Sequence, residues 1–186
     1  MQPEAEKPER LFIGVPLTDE ARRAIEKSLP KKLPGKAVPA ENWHFTLRFL
    51  GSTEADTRDK IVERLTAATC GASFTIRFNE LGAFPNPGRA RILWLGVDDG
   101  ADRLIQLAAI AEGVARSAGF AAEAREFKPH LTLSRIDPPS SVKTLLTSKP
   151  RIDTRMLVDA VILYRSHLGG GAPRYEQILR IGLGRD

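Results

Sequence analysis

His44-Phe45-Thr46-Leu47-Arg48-Phe49 is answered later in the chain by His130-Leu131-Thr132-Leu133-Ser134-Arg135, 130 − 44 = 86 residues further on. Each copy is a His-x-Thr phrase closed by Leu, with an arginine close behind. Together they hold two of the three histidines. Polar and apolar residues alternate, with β-branched and aromatic content, so both phrases predict strands. Successive side chains on a strand face opposite sides, which puts His44 and Thr46 on one face and Phe45 and Leu47 on the other. The same holds for His130 and Thr132 against Leu131 and Leu133. Each phrase therefore presents an imidazole and a hydroxyl on one surface, anchored from behind by apolar side chains.

Outward from the first phrase, residues 10–17 read as a short strand ended by Pro16. Thr18 is an N-cap candidate, with Asp19 and Glu20 in the first turn, where the helix dipole favours acids. Ala21, Ile25 and Leu29 follow at helical spacing, and Pro30 stops the helix. Residues 31–42 form a loop whose three lysines read as solvated charge, with a phosphate backbone as the alternative. After the phrase Gly51 turns the chain, and Thr53 with Asp56 suggests a capping-box variant opening a helix buried through Ile61, Leu65 and Ala68. Residues 73–80 and 91–97 read as a hairpin around Phe84-Pro85-Asn86-Pro87-Gly88. Residues 102–118 are the clearest helix, with Leu104, Leu107, Ala111, Val114 and Ala118 in one stripe and Gly119 as its stop.

Beyond the second phrase come Pro138-Pro139-Ser140 and a short helix reaching Leu146. Residues 156–168 read as one strand entering Gly169-Gly170-Gly171, and residues 174–183 as the closing strand of a hairpin with it. Helix, histidine strand, helix and hairpin thus recur twice, suggesting two similar α/β halves facing each other. Residues 1–9 are polar and expected to be frayed.

At 186 residues the chain is expected to be one domain spanning 1–186, with two lobes. Its 42% apolar and 27% charged residues suit a soluble globular protein. Cys70 is the only cysteine, so an intramolecular disulfide and any multi-cysteine metal site are excluded. Neither a membrane span nor the apolar core of a signal peptide is visible, making the cytoplasm the expected location. The net charge of +5, from 28 basic and 23 acidic residues, suits an anionic substrate without demonstrating one.

A lone histidine on a strand is usually structural. Two in matched His-x-Thr-Leu contexts point to chemistry. A zinc site is disfavoured, because His167 is the only further imidazole and no metal-ligand spacing is present. Neither a Gly-x-Ser-x-Gly elbow nor a Walker phosphate loop occurs. Two imidazoles and two hydroxyls facing one cleft can perform in-line phosphoryl chemistry without a metal. One neutral imidazole takes a proton from water while the other, protonated, gives one to the leaving oxygen. Threonine hydroxyls donate to non-bridging phosphate oxygens, and an arginine adds a fixed counter-charge.

The paired phrases resemble the signature of the two-histidine (2H) phosphoesterase superfamily, and within it the RNA 2',3'-cyclic phosphodiesterases, also called 2'-5' RNA ligases. The resemblance runs through Arg10-Leu-Phe-Ile, residues 42–51, Leu81-Gly82-Ala83-Phe84-Pro85, residues 127–133 and Leu163-Tyr164-Arg165-Ser166. It implies a bilobal, pseudo-symmetric α+β fold in which two antiparallel sheets flanked by helices form a V-shaped central cleft. It implies hydrolysis of RNA 2',3'-cyclic phosphate ends to a 2'-phosphate, with 2'-5' ligation as the reverse activity and no metal or other cofactor. On the family pattern His44 and His130 are catalytic, and Thr46, Thr132 and Arg135 hold phosphate. Strict alternation turns Arg135 away from His130, so a twist or bulge must re-aim it. Arg48, Phe12, Tyr164 and Arg165 are further substrate-binding candidates, with packing as the alternative for each. Trp43 and Trp94 are expected in the core. Phosphodiester hydrolysis on small cyclic nucleotides or 2',5'-oligoadenylate, and RNA-end binding without turnover, stay as alternatives. A monomer with RNA ends or nucleotide cyclic phosphates as its ligands, and no obligate protein partner, is expected.

Overall fold

Strand β1 (Glu9–Pro16) carries a run of five buried residues, Leu11–Val15, because it is paired on both edges and covered on both faces. The computed structural model describes residues 7–148 and 152–184. The expected fraying of residues 1–9 concerns mainly residues outside this range, but Glu9 is already in β1, ion-paired with Arg58 and Arg165.

Helix α1 (Asp19–Ser28) begins as expected, with the Thr18 Oγ1 accepting the Ala21 N–H at 3.2 Å and Ala21 and Ile25 buried. The loop that follows contains a two-residue strand, β2 (Lys36–Ala37), and a single 3-10 turn (Ala40–Asn42). Strand β3 (His44–Thr53) carries the first phrase. Helix α2 (Ala55–Ala67) is capped at Glu54 rather than Thr53, which stays in β3 and donates its hydroxyl to the Gly51 carbonyl. Strands β4 (Phe74–Phe84) and β5 (Ala90–Asp99) form the expected hairpin, and α3 (Ala101–Ser117) buries Leu104, Leu107, Ala111 and Val114. Strand β6 (His130–Ser140) carries the second phrase, followed by the short α4 (Lys143–Thr147).

The single strand expected over residues 156–168 is two. Strand β7 (Thr154–Val158) alternates buried and exposed residues and pairs with β4, whereas β8 (Ala160–His167) opens with four buried residues between β1 and β9 (Arg174–Gly182). Asp159 marks the crossing from one sheet to the other and is held by Arg180 at 3.0 Å. Asp159 is the single polar residue within residues 156–163, and one polar residue in a strand pattern does not by itself say that the pairing partner changes.

Among the described residues the strands form two antiparallel sheets, ordered β3-β1-β8-β9 and β2-β6-β5-β4-β7. Read from its histidine strand, each sheet continues through three further strands, β1-β8-β9 in one and β5-β4-β7 in the other, with β2 added outside β6. The helices flank the sheets and cross between them: α1 packs on β7 of the second sheet, and α3 on β3 of the first. One hydrophobic cluster holds buried residues of both sheets, including Phe45 and Phe78, whose rings stack at 5.7 Å. This packing presses the backs of the two lobes together and leaves the histidine faces lining the cleft.

Candidate active site

Both histidine strands contain a β-bulge at the same place, and the bulges decide which residues enter the cleft. In β3, Thr46 lies opposite Gly14 and Arg48 opposite Ile13, so Leu47 is the extra residue. In β6, Thr132 lies opposite Trp94 and Ser134 opposite Leu93, so Leu133 is the extra residue. Leu133 and Ser134 are consecutive and both fully buried. The residue five places after each histidine is thereby returned to the histidine's face. That residue is Arg135 in β6 and Phe49 in β3, and both line the cleft. The re-aiming that Arg135 required is present.

The same bulge takes Arg48 out of the cleft, against the expectation from its parity. Its side chain lies under the strand, with Nε 2.6 Å from Glu112 of α3 and Nη2 donating to the Ala121 carbonyl at 2.7 Å. Arg48 thus fastens the segment leading to His130 onto the His44 strand.

The cleft has a volume of about 460 Å³ and is lined by His44, Thr46, His130, Thr132 and Arg135 together with residues of β1, β2 and β9. Each imidazole is oriented by the carbonyl two residues before it. His44 Nδ1 is 2.8 Å from the Asn42 carbonyl and His130 Nδ1 is 2.6 Å from that of Lys128. A carbonyl accepts only from N–H, so each Nδ1 carries a proton and each Nε2 is left for the cleft. The Thr46 hydroxyl donates to the neutral His44 Nε2 at 3.0 Å.

Aromatic walls back both rings. Phe12 stacks on His44 at 4.6 Å and Tyr175 meets it edge-on at 5.1 Å, while Phe84 meets His130 edge-on at 5.1 Å. Desolvation in this setting lowers the His44 pKa to about 4, against a rise from the Asn42 carbonyl and with further lowering from Arg135 and His130. Desolvation also lowers His130, opposed by the Lys128 carbonyl and aided by Arg135. The two imidazoles share a fold position but differ in environment.

Phe12 lines the cleft and is buried at once, joining the two readings offered for it. Tyr164 stacks on Phe12 at 4.9 Å, one layer behind the cleft lining. Arg165 alternates to the far face of β8, where Glu9 and Glu176 pair with it at 2.5 and 3.3 Å, so it is not a cleft residue. His167 is bound to Glu176 at 2.6 Å. Trp43 is in the core, its indole N–H donating to the Val38 carbonyl. Trp94 is not: its cross-strand neighbours are Thr132 and Gly82, and its ring lies over Gly82, where a Cβ would fall 2.1 Å from it. The absent side chain at Gly82 makes room for the indole beside Phe84 and His130.

Arg10, Phe49 and Tyr175 also line the cleft, and sequence reasoning gave them no site role; Lys36 lines it too, which favours the phosphate alternative over solvated charge for that one lysine of the loop. Phe49 was legible only as a strand aromatic, because its position depends on the bulge. Tyr175 alternates along β9, but which face of β9 meets the cleft depends on its pairing with β8. Asn42, besides orienting His44, donates from Nδ2 to the Pro173 carbonyl at 2.6 Å and ties the glycine loop to the cleft edge.

A family model described as LigT like phosphoesterase matches residues 15–94 and again residues 95–175. The chain is 36% identical over 153 residues to the RNA 2',3'-cyclic phosphodiesterase of Aeropyrum pernix, covering 80% of this chain and 86% of that protein. It is 39% identical over 131 residues to the protein of the same name from Archaeoglobus fulgidus, covering 68% and 72%. Among solved structures it resembles that of E. coli LigT complexed with 3'-AMP, with a TM-score of 0.80 and 30% identity over 95% of this chain and 98% of that one.

Proposed function

Because this chain belongs to the LigT like phosphoesterase family, we propose that it hydrolyses 2',3'-cyclic phosphate at RNA 3' ends to a 2'-phosphate, using His44 and His130 and no metal. The observation that carries this reading is the convergence of two oppositely placed imidazoles, two threonine hydroxyls and one arginine on a cleft whose lining, among the described residues, contains no carboxylate. The relatives' names support the choice of substrate.

His44 is assigned as general base and His130 as general acid. Burial holds His44 toward the neutral form, and its Nε2, which accepts from the Thr46 hydroxyl here, opens to water when that hydroxyl turns to the phosphate, leaving His130 as the proton donor. Water attacks phosphorus in line with O3' and passes its proton to His44 Nε2. The P–O3' bond breaks as His130 Nε2–H protonates O3', leaving phosphate on O2'. Thr46, Thr132 and Arg135 hold the non-bridging oxygens as charge builds on them. Run with a 5'-hydroxyl in place of water, the same groups join two ends through a 2'-5' linkage.

The test is incubation of EDTA-treated protein with an oligonucleotide ending in 2',3'-cyclic phosphate, beside mononucleotide cyclic phosphates, with phosphorus NMR of the product. A 2'-phosphate is expected. A 3'-phosphate would reverse the acid and base assignment relative to the ribose, and activity restored only by an added divalent metal would refute the two-imidazole mechanism.

A further inference from the structure

Among the described residues Arg10, Lys36 and Arg135 line the cleft, and no Asp or Glu does. Elsewhere several arginines are matched to carboxylates, among them Arg48 to Glu112, Arg77 to Asp98 and Arg180 to Asp159, at 2.6, 2.6 and 3.0 Å. Among the described residues none of the three cleft cations has such a partner.

The placement of Lys36 is built into the backbone. Lys36 pairs with Arg135 and Ala37 with Ser134, and the Val38 N–H donates to the Leu133 carbonyl at 2.8 Å. Gly35, at φ +73°, lies so close to β6 that a Cβ there would come within 2.4 Å of the Arg135 carbonyl oxygen. Directly paired residues of antiparallel strands carry their side chains on one face with Cβ atoms about 5 Å apart, and like charges so placed repel. The fold therefore holds two cations side by side at the cleft edge without an acid between them. Such a pair is relieved by an anion.

A cyclic phosphodiester carries one negative charge, which Arg135 and the His130 imidazolium already meet. Lys36 exceeds that requirement. Resting on the function proposed above, we propose that Lys36 binds a second phosphate, the one on the 5' oxygen of the terminal nucleoside, so that the cleft favours ends bearing that phosphate over nucleosides lacking it. An internucleotide linkage and a free 5'-phosphate both supply this group.

The test measures equilibrium binding by calorimetry, across salt concentrations, of adenosine 2'-phosphate, adenosine 2',5'-bisphosphate and a diadenosine dinucleotide with a terminal 2'-phosphate. Wild-type protein is expected to prefer the last two. Lys36→Gln lowers that preference about three- to fivefold, weakens the salt dependence of dinucleotide binding, and Lys36→Arg restores both. Lys36 is exposed, so folding of the variants is checked by their melting curves. Equal losses on all three ligands would move Lys36 onto the reacting phosphate and overturn the proposal. Loss on the dinucleotide alone would place it beyond the 5' oxygen, and no loss would remove it from the site. Wild-type protein that binds with this preference yet hydrolyses no cyclic phosphate would refute the catalytic reading while leaving the second-phosphate site standing.

Discussion

Lowering the pH from about 7.5 to 5 is expected to destabilise the protein through His44 in particular. In the unfolded chain this imidazole titrates near 6.5, and in the fold it titrates near 4, because Phe12, Tyr175 and the cleft wall strip water from the ring. Between those values the unfolded state holds a proton that the folded state lacks. Stability contributed by the neutral ring is therefore complete above about pH 6.5 and is lost as pH falls toward 4. The gap from 6.5 to about 4 corresponds to roughly 3 kcal/mol below both values and about 2 kcal/mol at pH 5. One ring edge faces the open cleft, so water screening makes these upper figures. The assay is urea unfolding of wild type and His44→Gln at both pH values, since glutamine fills similar space and does not titrate. The stability difference between the two proteins should change by up to about 2 kcal/mol in favour of the variant on acidification. Parallel pH dependences, or an imidazole pKa at or above 6.5 by NMR titration, would refute the desolvated site described here.

His44→Ala and His130→Ala should each lower kcat by about 10²- to 10⁴-fold in soluble, folded protein, because neither imidazole performs both transfers; near-normal turnover would remove that residue from the mechanism. Arg135→Gln should lower kcat/KM by roughly 10- to 100-fold, and NMR should show both histidine pKa values rising, since the guanidinium charge lowers each of them. The pH profile of kcat/KM should be bell-shaped with its maximum below about 6.5, both groups being depressed in the free protein, while kcat should be displaced to higher pH because a bound anion favours imidazolium. Gly82→Ala should destabilise the fold by about 1–3 kcal/mol in denaturant unfolding, because its Cβ meets the Trp94 ring; an unchanged midpoint would mean the indole moves freely.

The sequence by itself determined the pieces whose cause is local. Alternation within each His-x-Thr phrase placed His44 with Thr46 and His130 with Thr132, and the apolar stripes placed α1 and α3. The repetition of the phrase announced two lobes and one shared cleft. Tertiary structure decided everything that depends on a partner strand. The bulges at Leu47 and Leu133 exist only because β1 and β5 supply one fewer residue opposite, and these bulges bring Phe49 and Arg135 inward while sending Arg48 to Glu112. Pairing with β6 turned part of a lysine-bearing loop into β2 and set Lys36 beside Arg135. Pairing also divided residues 154–167 between two sheets at Asp159, a lone polar residue that by itself does not tell a change of partner from an exposed position within one strand. A side chain's face along one strand follows from stereochemistry, but its phase after a bulge follows from the neighbour's register, which no single stretch of chain contains.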